Sequence, residues 1–235
     1  MHPNTDIVIA IRGTRPYPIE QYFVECLRTL EEHTKNYRLI LVDDNSDEEG
    51  ARVINEAVSQ RPEAVLIRTG FQRWFTRAYN LGLRLARTER TVILNADTVL
   101  GAGWLEELYD VWDEATSVGH RVGLVGSVYS DPEQRRWIAS MEPGYVTAHC
   151  LLLSMQAISE ASARRGQPGI YLDETRQDAI HIRSDVFISY ELNRLGWATI
   201  QSHKSAVGHH GGKAWGHNLG AINCVALDQV AERYK

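Results

Sequence analysis

The first hundred residues alternate short apolar runs with stretches of helical periodicity, and this alternation limits the fold more than any other feature of the chain. Asp6-Ile-Val-Ile-Ala-Ile11 is apolar after its first residue and rich in β-branched side chains, as a strand buried on both faces must be. Ile19, Tyr22, Phe23, Cys26, Leu27 and Leu30 then recur at helical spacing, with Glu20, Glu25 and Glu31 between them. Tyr37-Arg-Leu-Ile-Leu-Val42 is a second strand, ending at Asp43-Asp44-Asn45. Ser46 and Glu49 have the spacing of a capping box and open a helix carrying Val53, Ile54, Ala57 and Val58. Ala64-Val-Leu-Ile67 is a third strand, residues 70–76 a loop, residues 78–86 a helix, and Thr91-Val-Ile-Leu-Asn95 a fourth strand. Trp104, Leu105, Leu108, Val111 and Trp112 mark one more amphipathic helix. The pattern predicts βαβ units and an α/β fold: a mostly parallel central sheet with helices on both faces.

The second half is less regular. Residues 122–128 and 145–154 read as strands and residues 155–165 as a helix. A charged connection runs over 131–136 and a polar loop over 166–183. Ser184 is placed to cap a helix running to Leu195, with Gly196 as its stop. Gly208-His-His-Gly-Gly-Lys-Ala-Trp215 reads as a glycine-rich loop, and a last helix is expected after Ala221. No repeat or Pro/Ser-rich linker divides the chain, so its 235 residues are read as one domain with two lobes, about 1–100 and about 101–235.

Composition removes several classes of function. The formal charge of −5 gives no general basic footprint for nucleic acid, although a local basic patch and a nucleic-acid acceptor stay open. The three cysteines, Cys26, Cys150 and Cys224, are odd in number and far apart, so neither a disulfide framework nor a cysteine zinc site is expected. No apolar run nears the roughly 20 residues that span a bilayer, and Met-His-Pro-Asn-Thr-Asp lacks the pattern of a signal peptide. A soluble, cytoplasmic protein without an anchor or targeting domain is the expectation.

Ligands of open α/β sheets bind outside the carboxyl ends of the strands. Here those ends carry Arg12-Gly-Thr-Arg15, Asp43-Asp44 and Asn95-Ala-Asp97, which should line one rim. The dinucleotide fingerprint GxGxxG and the phosphate loop GxxxxGK[ST] are both missing. What remains is an acidic rim with arginines nearby. Such a rim suits a nucleoside diphosphate with a hard cation, because Mg²⁺ usually takes one or two carboxylates plus substrate phosphates.

Several motifs then fall in order. Val42-Asp-Asp-Asn-Ser46, Gly70-Phe71 with Asn80-Leu-Gly82, and Ile93-Leu-Asn-Ala-Asp-Thr98 occupy the first half. Ser184-Asp-Val-Phe-Ile-Ser-Tyr-Glu-Leu-Asn-Arg-Leu-Gly-Trp197 and Val207-Gly-His-His-Gly-Gly212 follow. Together they resemble the family 2 glycosyltransferases of GT-A fold, and the Asn-x-Asp and His-His-Gly-Gly forms are similar to its rhamnosyltransferase-like branch. The resemblance implies an inverting transferase that uses Mn²⁺ or Mg²⁺ and a nucleotide-sugar donor. A UDP-sugar is favoured, with GDP- and dTDP-sugars open, and the acceptor is a hydroxyl, expected on a glycan.

By the same resemblance Asp44 matches the aspartate that meets the nucleotide base, with Asp43 beside it. Arg12, Gly13, Asn95 and Ala96 line the nucleotide-sugar site, and Arg73 and Arg77 lie in a segment that contacts the nucleotide. Asp97 matches the last acid of the DxD motif and His209 a histidine that completes the metal site. Asp185 matches the catalytic base. Asn95 and Ser184 replace acids common in the family.

Plainer roles compete at each position. Asp43, Asp44, Asn95 and Asp97 also suit strand-to-turn junctions, and Asp185 the first turn of a helix. Asp173, Glu174 and Asp178 are rival bases. His210 and His181 are secondary histidines, and Trp137 and Trp215 are candidate sugar platforms or core residues. Competing functions are a sugar-phosphate nucleotidylyltransferase, suggested by Gly13-Thr-Arg15, and a degenerate module that binds nucleotide or glycan without turnover.

Overall fold

The structure is a computed structural model that describes residues 4–14, 19–131, 146–175 and 184–210. Its strands are β1 (Thr5–Ile11), β2 (Tyr37–Asp43), β3 (Val65–Arg68), β4 (Arg90–Asn95), β5 (Thr98–Val99), β6 (Val122–Tyr129), β7 (Cys150–Ser154) and β8 (Ala198–His209). Its helices are α1 (Ile19–His33), α2 (Glu48–Ser59), α3 (Trp74–Leu83), α4 (Trp104–Ser117), α5 (Met155–Arg164) and α6 (Ser184–Arg194). Arg15, Trp137, Asp178, His181, Gly211, Gly212, Trp215, Cys224 and the helix expected after Ala221 lie outside the described residues.

The strands form one sheet in the order β3-β2-β1-β4-β7-β6-β8-β5. β1 to β4, β6 and β8 run one way; β7 and β5 oppose them. β1 is buried throughout and splits its side chains by the two-residue period of a strand. Ile7, Ile9 and Ile11 join a core that includes Phe23 and Leu27 of α1, Ile54 of α2 and Leu105 of α4. Val8 and Ala10 join the opposite core with Tyr79 of α3, Ile158 of α5 and Leu192 of α6. Helices therefore cover both faces, as the apolar runs require.

Local boundaries depart from the sequence reading where side chains intervene. The capping box does not form: Asp47, not Ser46, caps α2 by accepting from the Gly50 amide at 2.9 Å. Ser46 instead accepts from the Gly13 amide at 2.8 Å. α3 begins at Trp74 rather than residue 78, because a carboxylate that follows β2 satisfies its first amides, as described below. Residues 146–149 turn before β7, although strand was expected from 145. Residues 198–207, to which the sequence reading assigns no element, and the first two residues of the expected loop form β8; its polar content hides a strand that pairs with β6 in parallel and β5 in antiparallel fashion. Cys26 and Cys150 are buried free thiols. Among the described residues no helix is long and apolar enough to cross a membrane.

Candidate active site

Strand register sets the rim. Ile11 pairs with Asp43 and Ala10 with Asn95, so Arg12 and Asp44 leave the sheet level with each other, and Ala96 leaves β4 one residue short of them. The loop after β1 sits on α2: Gly13 accepts from the Asp47 amide at 2.9 Å. A Cβ on Gly50 would lie 2.6 Å from the Gly13 carbonyl oxygen, so only glycine permits this approach.

The two acids at the carboxyl end of β2 do different work. Asp43 is fully buried, takes Arg68 Nε at 2.6 Å and accepts from the Ser46 amide at 2.9 Å, which fixes the loop. Asp44 accepts from the Arg73 amide at 2.6 Å, the Trp74 amide at 2.8 Å and the Thr69 hydroxyl at 3.2 Å. It therefore caps α3 from a distance and holds Trp74 at φ 66, a left-handed conformation unusual for such a residue. Burial raises the Asp44 carboxyl above its ordinary range; the amides of Arg73 and Trp74, the Thr69 hydroxyl and the Arg12 charge only partly offset this.

Arginine Nε groups of Arg12 and Arg73 are buried beside this rim without a hydrogen-bond partner among the described residues. The Arg73 guanidinium also lies 3.9 Å from the centroid of Phe71, an exposed aromatic ring. Arg77 Nε lies 3.7 Å from Glu174. Glu174 also accepts from Asn80 Nδ2 at 2.8 Å, and Asp173 accepts from Thr175, so these two of the three rival bases are engaged in holding the polar loop.

Tertiary pairing brings in His209. Thr98 pairs with His209 and Val99 with Gly208, and the His210 amide donates to the Asp97 carbonyl at 3.0 Å. His209 Nε2 thereby stands 3.1 Å from Asp97 Oδ1 and 3.1 Å from Asn95 Nδ2. Asp97 and Ala96 are fully buried, and Tyr79 donates to Asn95 Oδ1 at 3.3 Å. His210 turns away to Glu25 of α1, at 3.2 Å.

These residues fit a small divalent cation. When the Asn95 amide donates to Nε2, that nitrogen carries a lone pair facing a carboxylate oxygen, a contact that a shared proton or a cation relieves. Adjacent ligands of an octahedral ion at about 2.1 Å lie about 3 Å apart, close to the separation seen here. Among the described residues no group of three His, Cys, Asp or Glu forms a metal cluster. Two protein ligands are what an ion that keeps waters and substrate phosphates needs.

Asp185 lies in the first turn of α6, is 8% exposed and accepts from the Ala148 amide at 3.0 Å. It neighbours Tyr129 at the end of β6: burial, then the Asp185 charge, raises that phenol far above its ordinary range. Tyr129 stacks near His209, with centroids 5.6 Å apart, so the candidate base and the Asp97–His209 pair share one end of the sheet. Sequence reasoning missed Tyr129, His149, Ser127 and Thr147. A histidine directly ahead of the apolar run 150–153 was the one available signal.

The chain matches the Glycosyl transferase family 2 profile over residues 6–163. That span holds Asp44 and Asp97 but ends before Asp185 and His209. No curated protein sequence matches the chain. Among solved structures it is similar to the mannosyltransferase PcManGT from Pyrobaculum calidifontis, in complex with GDP-Man and Mn²⁺. The TM-score is 0.66 at 16% identity, covering 92% of this chain and 60% of that one. It is also similar to S. aureus TarS 1-349, with a TM-score of 0.61 at 13% identity, covering 90% of this chain and 62% of that one. The chain thus spans about three fifths of the length of either structure. At such identities the likeness is one of fold, and the fold is GT-A. With the family profile matched over more than half its length, the chain belongs to glycosyl transferase family 2.

Proposed function

We propose that this protein moves a sugar from a nucleoside-diphosphate sugar to an acceptor hydroxyl, with inversion at the anomeric carbon. The observation that carries the reading is the meeting of Asn95, Asp97 and His209 at one rim, with Asp185 reached across Tyr129. Residues before about 100 act as the nucleotide lobe and the remainder as the acceptor lobe. Arg12, Gly13, Asp43, Asp44, Arg73, Asn95 and Ala96 frame the donor. Arg77, paired with Glu174, stands at its edge.

Asp97 and His209 hold Mn²⁺ or Mg²⁺, which when bound supplies positive charge beside the diphosphate. Asp185 accepts the proton of the acceptor hydroxyl as its oxygen bonds to the anomeric carbon. The bond from that carbon to the diphosphate oxygen breaks, and the nucleoside diphosphate leaves with the electron pair. One displacement inverts the centre. The Ala148 amide fixes the Asp185 carboxylate in direction.

A UDP-sugar is favoured by the family resemblance, and the GDP-Man in the similar mannosyltransferase supports GDP-sugars as the other donor to test. Nucleoside diphosphate release should be measured across UDP-, GDP- and dTDP-sugars with glycan acceptors and with Mn²⁺ or Mg²⁺. The expected result is release with one base, abolished by chelation, with an inverted product by NMR. Unimpaired release by Asp97→Ala would overturn the reading.

A further inference from the structure

Three rings from three elements meet behind the Asp97–His209 pair. His149, directly before β7, stacks on Tyr129 with centroids 4.0 Å and planes 17° apart. Tyr129 lies 5.6 Å and 26° from His209, and His149 is 5.7 Å from His209. His149 is 2% exposed. An apolar side chain could fill this space without the cost of burying an imidazole, so the ring needs a reason.

Its fastening supplies one. Ser127 Oγ lies 2.9 Å from Nε2 and Thr147 Oγ1 lies 2.9 Å from Nδ1. A neutral imidazole satisfies both hydroxyls, one nitrogen donating and the other accepting. Thr147 also bonds the Tyr129 phenol, so the two stacked rings are tied to each other at their edges. The main chain anchors the same point. The His149 carbonyl accepts from the Asn95 amide at 2.9 Å, and the Ala148 amide donates to Asp185 Oδ2 at 3.0 Å.

We propose that His149 is a positioning residue: clamped between Ser127 and Thr147, it fixes the Tyr129 ring against its own, and the two rings, 5.7 Å and 5.6 Å from His209, together set the imidazole plane that faces Asp97. The consequence for cation binding rests on the reading of Asp97 and His209 as its ligands. Partners that orient a ligating histidine are worth roughly 10–100-fold in metal affinity. The ring stack would act at that level without touching the ion.

The test uses the full chain, with Mn²⁺ alone as probe, titrated by electron paramagnetic resonance of the free ion. In parallel, the His209 ring signals are followed by NMR without metal. His149→Leu should weaken Mn²⁺ binding about tenfold or more and shift the His209 signals. His149→Phe, which keeps a flat ring on Tyr129 but loses both clamps, should recover only part of the loss. Thr147→Val, a smaller change that removes one clamp, should move both readouts the same way and serves if His149→Leu does not fold. The proposal is overturned if the folded variants leave the His209 signals unmoved, or if they bind Mn²⁺ within about twofold of wild type. Failure of the wild type to bind Mn²⁺ removes the metal reading alone; the His209 signals then decide the positioning role.

Discussion

His209 Nε2 stands 3.1 Å from Asp97 Oδ1 because β5 and β8, a two-residue strand and a twelve-residue one, pair antiparallel beside it. If this pair holds the cation, either Asp97→Ala or His209→Ala should lower turnover by about 100-fold or more, roughly 3 kcal/mol of lost transition-state stabilisation. Both should also lose Mn²⁺ binding in a direct titration. Retained metal dependence in both variants would exclude them as ligands.

Asp185→Asn keeps the size of the side chain at the start of α6 but removes its basicity. Turnover should fall by about 10²–10⁴-fold, while nucleotide affinity measured by calorimetry stays within about threefold. A parallel fall in affinity would point instead to collapse of the Ala148 contact.

Asp44 holds Trp74 at φ 66 through the Arg73 and Trp74 amides. Asp44→Ala removes this cap and strands buried donors, which should cost about 1–3 kcal/mol in urea unfolding. Nucleotide binding should weaken as well, because Arg73 leaves the rim.

Two buried aspartates should give opposite pH profiles. Burial opposes ionisation of Asp6, but the Arg38 hydrogen bond, the Arg87 and Thr88 amides and the Arg38 charge outweigh it, so its carboxyl lies below the ordinary 3.8. Its contribution is present above pH 3.8 and is lost as pH falls through the folded-state value. Asp44 is raised by burial, so its contribution is present below pH 3.8 and is lost as pH rises through the folded-state value. Unfolding of Asp6→Asn and Asp44→Asn against wild type, from acid to neutral pH, should give difference curves of opposite slope.

Gly50 faces the Gly13 carbonyl, where a Cβ would come within 2.6 Å of backbone that cannot swing aside. Gly50→Ala should therefore cost about 1–3 kcal/mol and displace Arg12 and Gly13. A lowered melting temperature together with weaker nucleoside diphosphate binding checks this. An unchanged melting temperature would mean that the loop moves freely.

The apolar runs and the helical spacing of residues 6–117 made the early strands, the helices and the rim legible, because burial on both sheet faces leaves a periodic mark on the chain. Asp44, Asn95, Asp97, Asp185 and His209 were legible as candidates because they stand at strand or helix ends or in a family-like motif. β8 was not: its residues Gln201, Ser202, His203, Lys204 and Ser205 break any alternation, and pairing with β6 and β5 makes the strand. The early start of α3 was equally hidden, since its cap comes from Asp44, which follows β2 some thirty residues earlier.

The sequence by itself determined the α/β alternation, the positions of the strand-end acids and the family pattern, all of which depend on neighbours within a few residues. Only the tertiary structure decided which of those polar groups meet. Asn95 and His209 are separated by 114 residues and touch because two strands pair. His149 and Tyr129 join them because three element ends converge on one rim. Local periodicity records which face of a segment is buried; it carries no record of what that face is buried against.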